Sequence, residues 1–524
     1  STAALMAMVS SIATAAFADT YDLNKGSVTV ETRDNGNTYV TQANTETTDH
    51  LDTTGVTITS DGKQTSNTIT VNTAENQTTN VTLENVHIQP DSEWSSDPAP
   101  IEITGKGNTN LELNGNNIVL SGNSEHAAIE KADKYGTGTL TIKDDVNNDG
   151  SEKKGTDKDT TGKLLAGGFD NSAGIGGGGT GDTADTSKIT ITGGDITAVG
   201  GYYGAGVGSG NGGDASNIRI EGNAHVTAFA DDGAAIGAGY GGSSDVTITG
   251  HANVDAAGRC GAAIGLGNLG YQTTITISGD ATVNAEGVDG TGAIGGGRNS
   301  GSKVTVNIKD NANVTAIADG VAIGNNGGGS STTINITGGT VDAVAHCFNS
   351  KPAIGANSGS LNLTVNSSTG KTTINAYNSD DYSPIGTGYT NDITIPASAD
   401  YDETGTSQLG ESNAAVINFY RKATLKTSDF NCPKTLDPYA TQIHKRYTLS
   451  DKGDLYKVVH NRKYMEEHPD IVDTSKLENS DLHDWQLVDK VAPTLEKDGY
   501  ADYICNIDNC GQTKHVVLPK LTPE

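Results

Sequence analysis

Apolar and polar positions alternate in short runs through the middle of this chain. Ile189-Thr190-Ile191-Thr192, Ile218-Arg219-Ile220, Val246-Thr247-Ile248-Thr249, Ile275-Thr276-Ile277, Val304-Thr305-Val306 and Ile334-Asn335-Ile336 share one pattern. Period two turns the aliphatics to one face of a strand and the polar residues to the other. A Gly/Asp/Asn turn such as Gly193-Gly194-Asp195 then leads to a second run. It reads Ile196-Thr197-Ala198, Val226-Thr227-Ala228, Val254-Asp255-Ala256, Val283-Asn284-Ala285, Val314-Thr315-Ala316 and Val341-Asp342-Ala343. The third element is Ile-Gly or Val-Gly after small residues. It stands at Ile175, Val207, Ile236, Ile264, Ile294, Ile323, Ile354 and Ile385, in steps of 32, 29, 28, 30, 29, 31 and 31 residues.

Three short strands in a repeat of about 30 residues predict an all-β chain wound as a right-handed parallel β-helix. One rung cannot bury its apolar face, so neighbours must stack. Upstream, Ile101 and Ile129 extend the Ile column, and Leu140-Thr141-Ile142 supplies a strand. The polar run Asn147 to Gly162 reads as a loop inserted at a corner, and Ile69-Thr70-Val71 and Val81-Thr82-Leu83 as earlier rungs. The predicted divisions are a partial signal peptide (1–18), an N-terminal cap (19–60), the β-helix (61–398), a C-terminal cap with an appended region (399–480) and a small Cys-containing β module (481–524). About ten rungs at ~4.8 Å give a rod of about 50 Å.

Composition sharpens this picture. Among 524 residues there are 68 Gly but only 6 Phe and 2 Trp, so stacked β-branched residues replace an aromatic core. The net charge of -30 excludes nucleic acid, which needs clustered Lys and Arg, and disfavours anionic membranes. No segment after the N-terminus approaches the ~20 apolar residues of a membrane span, so no insertion is expected. Leu5 to Ile12 form a short apolar core before Ala16-Phe17-Ala18, a small-x-small cleavage pattern, which places the chain outside the cell, secreted or on the cell surface. Five cysteines are too few and scattered for a disulfide scaffold. Cys260 and Cys347, three repeats and about 14 Å apart, cannot bridge and read as packed small hydrophobes.

The elements Ala-Ile-Gly-x-Gly and Ile-Thr-Gly-Gly, across about residues 165–395, resemble the Gly-rich right-handed β-helix regions of surface proteins from Gram-positive gut bacteria. Many of those carry the label of carbohydrate-binding-domain proteins, so the resemblance implies glycan binding; these elements are fold signatures and bring no catalytic residue. His483-Asp484-Trp485, Pro493-Thr494-Leu495, Tyr503-Ile504-Cys505 and Cys510-Gly511 resemble a small β module near the C-termini of such proteins. The module usually has two residues between its cysteines and a Cys after Pro-Thr. This chain has four residues there and Leu495, which leaves Cys505 and Cys510 as a metal-binding pair or a disulfide.

Candidate chemistry gathers at the corner before each Ile-Gly. It reads Tyr202-Tyr203, Asp231-Asp232, Arg259, Asp289, Asp319, His346 and Asp380-Asp381-Tyr382. Asp alone would be turn chemistry, but turns do not ask for Tyr, Arg or His. Tyr rings offer flat apolar faces to sugars, carboxylates accept hydroxyl hydrogen bonds and Arg donates them. The ligand set is therefore Tyr202, Tyr203, Asp232, Arg259, Asp289, Asp319, His346, Asp381 and Tyr382, with a polysaccharide or host glycan as partner. Asp289 and Asp319 on adjacent rungs would stand about 5 Å apart, as in retaining glycosidases, and Asp232 and Asp289 about 9.6 Å apart. A β-helix glycoside hydrolase or polysaccharide lyase is thus the alternative, and a structural stalk a third. Asp145, Asn147 and Asp149 begin a D-x-N-x-D-G calcium loop whose twelfth position is Thr156, short of a full site. Beyond calcium no cofactor is expected, and a monomer is. An outward ladder of Thr190, Thr247, Thr276, Thr305 and Asn335, interrupted by Arg219, is too narrow for an ice-binding face.

Overall fold

The computed structural model describes residues 19–90, 97–145, 162–301, 303–328, 331–345, 351–365, 372–378 and 385–388, and further strand segments at 406–408, 415–420, 485–494, 497–505 and 513–520. Three sheets run along the length of a parallel β-helix. One rung shows the plan. Ser244–Ile248 lies in the first sheet, Asn253–Gly258 in the second and Ile264–Gly265 in the third. Each pairs in parallel with its counterpart in the next rung, Gln272–Ile277, Thr282–Gly287 and Ile294–Gly295. The first two sheets hold 12 strands each and the third 14. Parallel strands joined through corners coil in the right-handed sense, as the three-strand repeat predicts.

The core is a stack of aliphatic columns. Ile129, Ile175, Val207, Ile236, Ile264, Ile294, Ile323, Ile354 and Ile385 are all at 0 % exposure and follow one another in register. From Ile175 onward, the glycine after each is a packing requirement. Gly265 has φ +131°, and a Cβ there would meet the Gly295 carbonyl oxygen at 2.2 Å. Only glycine takes that conformation and that approach without strain. The two preceding rungs differ, since Glu102 and Glu130 occupy this column.

The second-run strands pair as predicted, from Ile196 with Val226 through to Val314 with Val341. One first-sheet alignment needs correction. Ile275 pairs with Val306 and Ile277 with Ile308, so Thr276 stands beside Asn307, and Thr305 beside Thr274. The strand Lys303–Ile308 carries three alternating aliphatics, Val304, Val306 and Ile308, so period two alone fits two registers.

Asp19–Asp22 and Val28–Thr32 pair in parallel with Val56–Thr59 and Ile69–Thr73. The segment read as an N-terminal cap thus supplies the first strands of two sheets. Thr38–Gln42 and His50–Asp52 add antiparallel strands beyond them. At the other end Ala415–Tyr420 extends the second sheet in parallel, and Thr406–Gln408 pairs with it antiparallel. At each end one sheet, the third at the N-terminal end and the second at the other, closes on antiparallel strands, which changes the pairing pattern at that edge. Residues 485–518 contain a three-stranded antiparallel sheet of Trp485–Val491, Gly499–Cys505 and Thr513–Leu518. Cys510 lies outside the described residues, as do 1–18, where the signal peptide was read. Among the described residues no helix is long and apolar enough to cross a membrane.

Candidate functional site

The corner between second and third sheets begins where the second-sheet strands end, at Ala230, Gly258, Gly287 and Ala318. Those four residues are in register. The next residues therefore fall in line as Asp231, Arg259, Val288 and Asp319. Backbone bonds continue the ladder, from Arg259 N to Ala230 O, Val288 N to Gly258 O and Asp319 N to Gly287 O. Asp289 lies one place further on, in the left-handed region at φ +55°. Asp289 and Asp319 consequently do not share a column, which corrects the expected carboxylate pair. The physical reason is loop length, since the corners at 259–263, 288–293 and 319–322 differ in size.

Arg259 ties the corner together. Its Nε donates to Asp289 Oδ2 at 2.7 Å, and one terminal nitrogen donates to Asp231 Oδ2 at 3.2 Å. Asp231 is only 2 % exposed. Burial pushes its carboxyl up to about 6, against the pull of Arg259 and with Asp232 adding to the rise. Cys260 is partly exposed and sits beside this pair, instead of packing as a plain hydrophobe. Burial and the two aspartates push its thiol up to about 12, and it hydrogen-bonds Asp232. Asp232 also accepts from Asn268 Nδ2 at 3.4 Å. Asp231, Asp232 and Cys260 each offer one donor atom within 4.8 Å of the others. Such a set suits a thiophilic cation, but Arg259 already supplies positive charge to Asp231 and the Arg298 side chain hydrogen-bonds the sulfur.

Three tyrosines form the outer part of this corner. The Tyr202 and Tyr203 rings meet edge to face with centroids 4.6 Å apart, and Tyr203 meets Tyr240 at 5.3 Å. Tyr202 is 36 % exposed. Burial and then Asp232 raise the phenols of Tyr202 and Tyr203. Backbone bonds fix the ladder, with Asp232 N donating to Tyr202 O and Tyr240 N to Tyr203 O. Tyr240 was not in the predicted set because it follows Ile-Gly. The signal was present: its turn column otherwise reads Asn211, Asn268 and Arg298.

Asp319 lies beside Glu286, a residue also missing from the predicted set. Glu286 is 2 % exposed, and its carboxyl is held well above the usual range by burial and by Asp319. His346, Asp381 and Tyr382 lie outside the described residues. Of the calcium-loop candidates only Asp145 is described, at φ +60°, and Asn147 and Asp149 lie outside. A second unpredicted cluster surrounds Glu130, which is fully buried and accepts from His126 Nδ1 at 2.8 Å and from Ala127 N at 3.0 Å. Burial and Glu130 raise the carboxyl of Glu102 one rung away, and Glu130 raises the His126 imidazole.

Residues 189–211, 246–268 and 334–360 match the family model described as Beta helix repeat. Each match opens in a first-sheet strand and runs past the Ile-Gly element of the same rung. The chain is thus a β-helix repeat protein by fold. Comparison with curated proteins and with solved structures gave no match.

Proposed function

We propose that this is a secreted or cell-surface β-helix protein that binds carbohydrate, a polysaccharide or host glycan, through the corner of Tyr202, Tyr203, Asp232, Arg259 and Asp289. The observation that carries the reading is the run of three edge-to-face tyrosines beside a charged network, with Tyr202 open to solvent. Aromatic faces take the apolar side of a sugar ring, and the neighbouring carboxylates and guanidinium meet its hydroxyls. The acidic surface favours a neutral glycan over a polyanion.

A glycan array with the purified protein is the test. Tyr202→Ala and Tyr203→Ala should each weaken binding at least tenfold and leave the β spectrum unchanged. Binding equal to the parent in both variants would sink the corner reading and leave a structural stalk. One observation favours a second reading, a β-helix glycoside hydrolase or polysaccharide lyase. Asp231, protonated up to about pH 6, has the character of a general acid. Mass spectrometry of the incubated glycans separates the two, because a binding module releases no product.

A further inference from the structure

A groove of about 370 Å³ opens on another side of the helix, where the third corner runs into the first sheet. Register sets Ala215, Ser244, Thr273 and Val304 side by side on four successive rungs. The groove residues flank that row. Asp214, Gln272 and Lys303 lie on one side of it, and Ser216, Asp245 and Thr274 on the other. Three steps of ~4.8 Å make the groove about 14 Å long.

A β-bulge shapes one end. Ala215 pairs with Ser244 and Ile218 with Val246, so Ser216 and Asn217 together face Asp245. Asn217 is in the left-handed region at φ +54°, as is Lys188 at +56° one rung back. The bulge ends at the next rung, where Ser244-Asp245-Val246 pairs regularly with Thr273-Thr274-Ile275. A bulge of this kind re-aims side chains and tends to be kept beside functional surfaces.

The hydrogen bonding separates floor from rim. On the floor, Ser244 Oγ lies 2.7 Å from Thr273 Oγ1 and donates to Gly265 O at 2.8 Å. Exposed Asp214, on the same side as Gln272 and Lys303, accepts through Oδ1 from Ser243 N at 2.8 Å. On the rim, the side chains of Ser216, Asp245, Gln272, Thr274 and Lys303 are exposed and make no hydrogen bond or ion pair among the described residues. Tyr271, next to Gln272, is 63 % exposed.

We propose that this groove is a second binding site, for a short linear neutral oligosaccharide. The rim offers a carboxylate acceptor, an ammonium donor, an amide that does both and two hydroxyls, the inventory that a chain of sugar hydroxyls pairs with. Asp214 and Asp245 outweigh Lys303 by one charge, so an acidic ligand is disfavoured. Exposed Tyr271, next to Gln272 in the chain, would supply a ring face beside the groove. The rung spacing is close to the ring-to-ring repeat of an extended glycan, so successive rungs can address successive sugars. The proposal goes beyond the corner reading, because groove and corner share no residue.

The test uses the full chain carrying Tyr203→Ala, which weakens the corner at least tenfold, so that binding there falls behind binding in the groove. Isothermal titration is run with neutral tetrasaccharides of β-1,4-glucose, β-1,4-mannose, β-1,4-xylose and α-1,4-glucose, and with an oligogalacturonate of equal length. At least one neutral tetrasaccharide should bind saturably. Adding Asp245→Ala or Gln272→Ala should weaken it at least tenfold, and Tyr271→Ala should weaken it measurably, with Tm unchanged. No saturable binding by any neutral member overturns the proposal, as do groove variants that bind like the background. Tighter binding of the oligogalacturonate overturns the neutral class. If the unmodified protein binds glycan and the Tyr203→Ala background does not, the corner stands and the groove falls. Groove binding without any effect of Tyr203→Ala in the unmodified protein gives the reverse.

Discussion

The corner and the groove are built from similar residue types and use them differently. In the corner, Arg259 spans Asp231 and Asp289 and Cys260 bonds Asp232, so these charged side chains are engaged with one another, although Asp231 Oδ1 is buried without a partner among the described residues. In the groove, Asp245 and Lys303 leave their side chains to solvent while the hydroxyls beneath them close among themselves. A glycan at the corner therefore meets charges already engaged with one another, with aromatic rings beside them. A glycan in the groove meets unspent donors and acceptors. Charged residues at a solenoid corner are thus weak evidence of a site until their partners are known.

The strongest way to break this comparison is to remove the scaffold under both regions. Ile264→Asp places an unpaired carboxylate in a fully buried column directly below the corner. It should lower stability by several kcal/mol, on the order of 3–5, and abolish binding at both regions together. Chemical denaturation followed by circular dichroism measures the first effect and titration the second. Loss at one region alone would mean that the rungs do not stack as one core.

Much of that scaffold was legible in the sequence. The Ile-Gly dipeptide announced both a buried column and a glycine that no side chain can replace, because its Cβ would strike the next rung. The second-run registers were equally clear, since each strand has a single Val- or Ile-x-Ala pattern. Lys303–Ile308 was not, because three alternating aliphatics fit two registers. At the site, the corner and its tyrosines were visible, but side-chain partners were not. Corners of unequal length moved Asp289 out of the Asp319 column, which no repeat count reveals. Outward positions of the second sheet were also misleading. Asp255, Asn284, Thr315, Asp342 and Asn375 are buried, and Asn284 Nδ2 donates to Asp255 Oδ1 at 2.8 Å. The hint was apolar Phe229, Ile317 and Val344 at neighbouring outward positions, which an open face would not need.

Asp231 gives the next largest effect and distinguishes the corner through pH. Its carboxyl is raised from 3.8 to about 6, so the folded state holds the proton more tightly than the unfolded chain. The stability from this group is fully present below the unfolded value and is lost as pH rises through about 6. The displacement corresponds to about 3 kcal/mol at most. Asp231→Asn removes the titration. Between pH 4 and pH 7 the stability difference should move in favour of the Asn variant by up to that amount, read from denaturation midpoints. Asp245→Asn in the groove should show no such trend. A flat difference for Asp231→Asn would mean that this carboxyl is solvated.

Arg259→Ala comes third, and the structure changes what to expect of it. From sequence the side chain reads as an outward residue whose loss leaves stability untouched. Its contact with buried Asp231 argues otherwise. Removing the partner of a buried charge can cost several kcal/mol. Arg259 is itself 36 % exposed, so solvent shares the screening and the loss should be about 1–2 kcal/mol. It should be larger above pH 6, where Asp231 can no longer escape by taking a proton. Denaturation at pH 5 and pH 8 checks both statements. Equal values at the two pH conditions would show that Asp231 does not depend on Arg259.

The smallest effect belongs to the groove, and its smallness is the point. Asp245 and Lys303 are exposed and make no hydrogen bond or ion pair among the described residues. Replacing either with its neutral counterpart, Asp245→Asn or Lys303→Gln, removes no buried contact and creates no cavity. Each should change stability by less than about 0.5 kcal/mol, the ordinary range for such surface positions. The double variant should equal the sum of the singles, because residues that do not interact do not couple. Oligosaccharide binding should fall in both singles even so. That combination, unchanged folding with weakened binding, marks side chains held ready for a ligand. At Arg259 the same experiment cannot separate the two, since folding and binding draw on one ion-pair network. A stability loss above about 1 kcal/mol in Asp245→Asn, or a non-additive double variant, would show that the groove charges already serve the fold as the corner charges do.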